Sequence, residues 1–124
     1  MIYLASPYSF PKEERGRRYR QNLFAMGYLI TRGHQVYCPI VHTHEVNEFL
    51  ATQKCEPSPS FWYAFEEPFM NWCSRIVVLQ LKGWRKSQGV EREISHFWNK
   101  RHIAAEFMHP QSYKIHELPW PGLD

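Results

Sequence analysis

The chain has 124 residues, 44% of them hydrophobic and 16% aromatic, which suits one domain over 1–124 with a real core and excludes wholesale disorder. A net charge of +3 suits a small anionic ligand and is too weak for a surface that coats a nucleic-acid polymer. Three cysteines (Cys38, Cys55, Cys73) without a Cys-x-x-Cys exclude a disulfide framework and fit a reducing, cytoplasmic setting.

Ile2 to Ala5 is a short apolar run ending at Ser6-Pro7 and reads as a buried strand that stops in a loop. No charged-then-apolar leader precedes it, and no apolar run approaches the ~20 residues of a membrane span, so neither a secretory signal nor a membrane partner is expected. From Pro11 to Arg32 the pattern is helical, with Tyr19, Leu23, Met26 and Ile30 as its apolar stripe and Gly33 as its stop. Gln35 to Cys38 reads as a second strand closed by Pro39. His42 and His44 then stand on an extended segment, Asn47 to Thr52 forms a helical turn or two, and residues 56–60 form a loop.

Phe61 to Trp72 is helical, with Pro68 expected to end or kink it. Ile76 to Leu81 is the strongest strand, and its continuous apolar run implies burial on both faces. A loop holding Gly83 and Gly89 leads into a helix from Val90 to Lys100 with Ile94 and Phe97 on one face. Ile103 to Met108 is a last strand, and from about residue 109 a Pro-rich tail is irregular. The alternation predicts an α/β fold, a Rossmann-like (flavodoxin-like) parallel sheet of four or five strands flanked by helices. Ligands of such sheets bind beyond the carboxyl ends of the strands, in the loops after Ala5, Cys38 and Leu81.

The loop after the strongest strand ends in Ser87-Gln88-Gly89-Val90-Glu91-Arg92-Glu93. A glycine there lets backbone approach a ligand, and the free N–H groups of the next helix favour an anion. Glu93 falls beside Val90 and Phe97 on the helix surface, a carboxylate at the edge of a buried face. Two roles stand side by side: complementing the positive end of the helix, or reacting. Either way the helix dipole is expected to lower its pKa.

Ser87-x-Gly89-Val90-x-x-Glu93 resembles the signature of the nucleoside 2-deoxyribosyltransferase superfamily, which includes deoxynucleoside monophosphate N-glycosidases. The chain is closer to its uncharacterised DUF1937 branch, which is similar at Tyr3-Leu4-Ala5-Ser6-Pro7-Tyr8-Ser9, at Arg18, at Gly33 to His44, and at Gly83-Trp84-x-x-Ser87-x-Gly89-Val90-x-x-Glu93. The resemblance covers about residues 1–108. It implies a retaining mechanism in which Glu93 attacks the anomeric carbon, no cofactor, and often a homodimer. It implies that Ser87 and Gly89 seat the sugar or its 5′-phosphate and that an acid on the preceding helix, Glu66, assists. An aspartate usual just before the hydrophobic strand is replaced here by Ser74.

Around these, Ser6, Pro7, Arg18 and Val90 are candidate substrate-binding residues through the resemblance, and Tyr8 is a catalytic candidate that reaches the sugar or the nucleophile. Trp84 is core, or stacks on a base. His42 and His44 form a polar wall for the base or a proton donor to it, or stand in solvent; a metal pair would need a third ligand, which no spacing supplies, so no metal is expected. Two functions remain. One is an enzyme that cleaves, or exchanges the base across, the N-glycosidic bond of a nucleoside or nucleoside 5′-monophosphate. The other is a non-catalytic nucleotide-binding module using the same phosphate-seating loop.

Overall fold

The computed structural model describes residues 1–117. Five strands, β1 (Ile2–Ala5), β2 (Val36–Tyr37), β3 (Arg75–Leu79), β4 (Glu106–Met108) and β5 (Ile115–His116), form one sheet in the order β2-β1-β3-β4-β5. The first four are parallel, and β5 runs antiparallel to β4. The helices are α1 (Arg15–Thr31), α2 (Pro39–Thr52), α3 (Pro59–Trp72) and α4 (Gln88–Arg101). This is the Rossmann-like architecture expected, and no helix among the described residues is long and apolar enough to cross a membrane.

The central strands are continuously apolar because both of their faces are covered. Ile2, Leu4, Val77 and Leu79 pack with Ala25, Leu29, Cys38 and Ile40, on the side of α1 and α2. Tyr3, Ala5, Ile76 and Val78 pack with Met70, Val90 and Phe97, on the side of α3 and α4. The strict period of two therefore sends the phenol of Tyr3 toward α3 and α4. From β1 the chain goes to β2 on one side and returns to β3 on the other. The switch point, where such sheets bind ligands, lies between the carboxyl ends of β1 and β3.

Five expectations need correction. The buried residues of α1 are Asn22, Ala25 and Leu29, whereas Leu23 and Ile30 are exposed. The stripe against the sheet is centred on a small and a polar residue, and Asn22 is buried because its amide is bonded to Ser6 Oγ at 2.7 Å and to the Arg18 carbonyl at 2.8 Å. Residues 39–52 are one continuous helix with Pro39 at its first position, where the missing N–H costs nothing. The same device opens α3: Ser58 accepts from the Phe61 N–H and Pro59 follows, so residues 59–60 are helix rather than loop. That helix continues through Pro68 to Trp72. Finally, the tail from 109 contains β5; the rest of it, 118–124, lies outside the described residues.

Candidate active site

Three side chains meet at the base of the switch-point crevice, where Glu66 and Glu93 line it and Tyr3 is fully buried beneath them. The Tyr3 hydroxyl lies 2.5 Å from Glu93 Oε2 and 2.8 Å from Glu66 Oε2. β1 supplies the phenol from its α3–α4 face, α3 supplies Glu66, and α4 supplies Glu93 one turn beyond its N-terminus. A phenol has one hydrogen, so it donates to one carboxyl and accepts from the other. With both contacts made, the two carboxyls hold a proton between them.

The electrostatics agree. Burial, then the charge of Glu66, pushes the Glu93 carboxyl well above the ordinary glutamate range, against smaller opposing effects of the Tyr3 bond and Arg92. Burial likewise raises Glu66. The Tyr3 phenol is driven up by burial and by both carboxyls, so it stays protonated. The expected lowering of the Glu93 pKa by the helix dipole is thus overturned, because desolvation beside a second acid outweighs the roughly 0.3–1 kcal/mol that a helix terminus contributes.

The floor opens into a cleft of about 1150 Å³. Ser6, Pro7 and Tyr8 line it from the loop after β1, Arg18 from α1, Glu66 from α3, and Ser87, Gly89 and Glu93 from α4. Ser87 is the N-cap of α4, accepting from the Val90 N–H at 3.2 Å. The N–H groups of Gln88 and Gly89, ahead of the first full turn, have no intrahelical carbonyl to meet. The absence of a side chain at Gly89 keeps that helix end open to the cleft. Arg18 donates to the carbonyls of Phe10 (2.7 Å), Tyr8 (3.4 Å) and Lys82 (3.4 Å), tying the loops after β1 and β3 together.

A family model described as a domain of unknown function, DUF1937, matches residues 1–108. The chain belongs to the DUF1937 family. No curated protein matches it. The match runs from β1 to the end of β4 and so contains every residue of the floor and both walls.

Other candidates of this DUF1937 chain stand elsewhere. His42 and His44 do not line the cleft. On a helix, residues two apart point to nearly opposite sides, so Thr43 faces the cleft and the histidines do not. His42 sits among Tyr37, Phe65 and Phe69, with Nδ1 3.1 Å from the Tyr37 hydroxyl. His44 is buried, stacked on Tyr19, and its Nδ1 is 2.6 Å from the Tyr8 hydroxyl. The Tyr8 hydroxyl is therefore turned to His44, and the phenol on Glu93 is that of Tyr3. Trp84 packs on Phe107, and Val90 is core; neither is part of the cleft wall. Ser74 bonds back to Met1 at the amino end of β3, the opposite end of the sheet from the cleft. The side chain at position 74 thus has no part in the floor.

Tyr3 is the residue that sequence reasoning missed. A signal was available: a tyrosine inside a four-residue buried strand must find a hydrogen-bond partner for its hydroxyl. Arg92 was missed as well. It lines the cleft beside Glu93 with its guanidinium over the ring of Tyr63.

Proposed function

We propose that this protein cleaves the N-glycosidic bond of a nucleoside or nucleoside 5′-monophosphate through a covalent glycosyl-Glu93 intermediate. The observation that carries the reading is the convergence of Glu93 and Glu66 on one phenol. Their oxygens are no farther apart than the 2.5 and 2.8 Å contacts laid end to end. That upper bound is on the side of the roughly 5–5.5 Å separation of retaining glycosidases and is too close for the roughly 6.5–9.5 Å that an inverting enzyme needs for an intervening water.

The reading assigns the charge of the singly protonated pair to Glu93 and the proton to Glu66, the division that attack by Glu93 requires, although burial and the neighbouring acid raise Glu93 further than Glu66. Glu93 attacks the anomeric carbon, the carbon–nitrogen bond breaks, and the base departs with the electron pair and a proton from Glu66. In the second half Glu66 takes a proton from water, whose oxygen displaces Glu93 and regenerates both groups. A second base in place of water gives base exchange. Ser87, Gln88 and Gly89 hold the sugar or its phosphate at the end of α4. The reading includes a homodimer that narrows the cleft, in keeping with exposed Leu23, Phe24 and Ile30 on α1.

The test is free-base release from a panel of nucleosides and 5′-monophosphates, with trapping of the glycosyl-enzyme by intact-mass measurement. Glu93→Gln is expected to abolish release by at least ~10³-fold while still binding the best substrate. Normal release by Glu93→Gln would overturn the assignment. Binding with no release from any member would favour the second reading, a nucleotide-binding module on the same loop.

A further inference from the structure

The cleft is larger and more basic than a nucleoside or its monophosphate requires. At about 1150 Å³ it exceeds the roughly 300–1,000 Å³ of pockets that enclose a drug-sized ligand. Of its lining cations, Arg15 and Lys12 are paired with Glu56, and Arg17 lies 3.9 Å from Glu14. Arg18, Lys82, Lys86 and Arg92 also line it, and among the described residues none of these four is ion-paired. Arg18 spends its donors on neutral carbonyls and is in no direct ion pair, with Glu14 acting on it only as a nearby charge.

These cations are not scattered. The Arg18 guanidinium reaches the Lys82 carbonyl, and the Lys86 N–H bonds the Gly83 carbonyl at 3.0 Å. Arg18, Lys82 and Lys86 therefore surround one turn, immediately ahead of Ser87 and the open end of α4. Glu93 stands on the far side of that end, four residues or ~6 Å along the helix from Gly89. A sugar on Glu93 would place its 5′ substituent at Gly89, and whatever continues from it would run out among Arg18, Lys82 and Lys86. A single phosphate is satisfied by the helix end, which leaves three cations for a second.

Resting on the glycosidase reading, we infer that the substrate is a nucleotide carrying a pyrophosphate, with the first phosphate at Ser87–Gly89 and the second between Arg18, Lys82 and Lys86. A nucleoside 5′-diphosphate and a pyrophosphate-bridged dinucleotide share this chemistry. The cleft, about 1150 Å³ in all, is large enough to be tested with both.

Two measurements test it. In titration calorimetry, inorganic pyrophosphate is expected to bind at least tenfold more tightly than orthophosphate. The exposed pair Lys82→Gln/Lys86→Gln, checked for an unchanged melting curve, is expected to erase that difference. Equal binding of the two anions, or a difference that survives the double substitution, would overturn the inference. In the release assay, kcat/KM is expected to rise at least tenfold from a 5′-monophosphate to the matching diphosphate or dinucleotide; which of the two is better tells them apart. Tight pyrophosphate binding without base release from any nucleotide would sink the glycosidase reading and leave only the two-phosphate binding site standing. Efficient release from a monophosphate with no gain from a second phosphate would do the reverse.

Discussion

The two walls of the cleft handle their polar groups in opposite ways. On the α1–α2 side the polar side chains of the wall have partners of complementary kind, apart from the Oδ1 of Asn47, which is buried without one. Tyr8 meets His44, Asn47 and Arg15 both bond Glu56, and Asn22 bonds Ser6. On the α3–α4 side two acids are buried against each other with one phenol between them, and both are held above their ordinary pKa. The first arrangement minimises the cost of burial. The second incurs a cost that neutral packing would remove, and a fold keeps such a group where chemistry requires it. The lesson is to look for function in unresolved electrostatics rather than in the count of polar residues, since histidines crowd the quiet wall.

The sharpest way to break this contrast is to exchange the two tyrosines' fates. Tyr3→Phe is expected to lower turnover on the best substrate by about 10²-fold, the scale of disturbing an acid–base pair whose two members it bonds. Tyr8→Phe is expected to leave turnover within about threefold and to cost about 1–3 kcal/mol of stability by stranding His44. Steady-state kinetics and urea unfolding on both variants decide it; a larger kinetic loss for Tyr8→Phe would reverse the assignment of the walls.

The pH dependence of stability separates them next. Raised carboxyls bind protons more tightly in the folded state, so their stabilising contribution is complete below the unfolded value of 4.5 and is lost as pH rises toward about 8. The wild-type urea midpoint should therefore fall between about pH 5 and about pH 8. Glu93→Gln should flatten this fall and be the more stable protein at the upper end. Parallel curves for the two proteins would mean that the acids are not proton-coupled.

A smaller effect is expected at the helix end. Ser87→Ala removes the cap of α4 and should cost about 1 kcal/mol of stability. It should also weaken binding of a 5′-monophosphate more than of the free nucleoside. An equal loss for both ligands would confine Ser87 to capping.

Much of this was legible in the sequence, for physical reasons that differ from element to element. The apolar runs Ile2–Ala5 and Ile76–Leu81 have one reading, because a strand buried on both faces is almost wholly apolar, although the second ends as a strand at Leu79. Glu93 was placed beside the core by helical spacing alone, whereas Ser87 was read only as part of the loop, with the helix starting at Val90, and the structure makes it the N-cap. The α2 segment was misread because His42 and His44 carry no periodic apolar signal, although Pro39 at a helix start was a local clue. That one error of period turned both histidines the wrong way, since side chains two apart share a side on a strand and diverge on a helix.

The amino-acid sequence by itself determined the α/β alternation, the apolar core strands, the glycine loop before α4 and the acid beyond it, because each follows from the residue pattern within one segment. Only the tertiary structure decided that Tyr3, sixty-three residues from Glu66 and ninety from Glu93, lies between them. Strand order and the face of each helix bring those positions together, and no local spacing records them. The pKa of Glu93 belongs to the same category. The helix end that lowers it is written in the neighbouring residues, while the burial and the second acid that raise it arise only when α3 closes over the sheet.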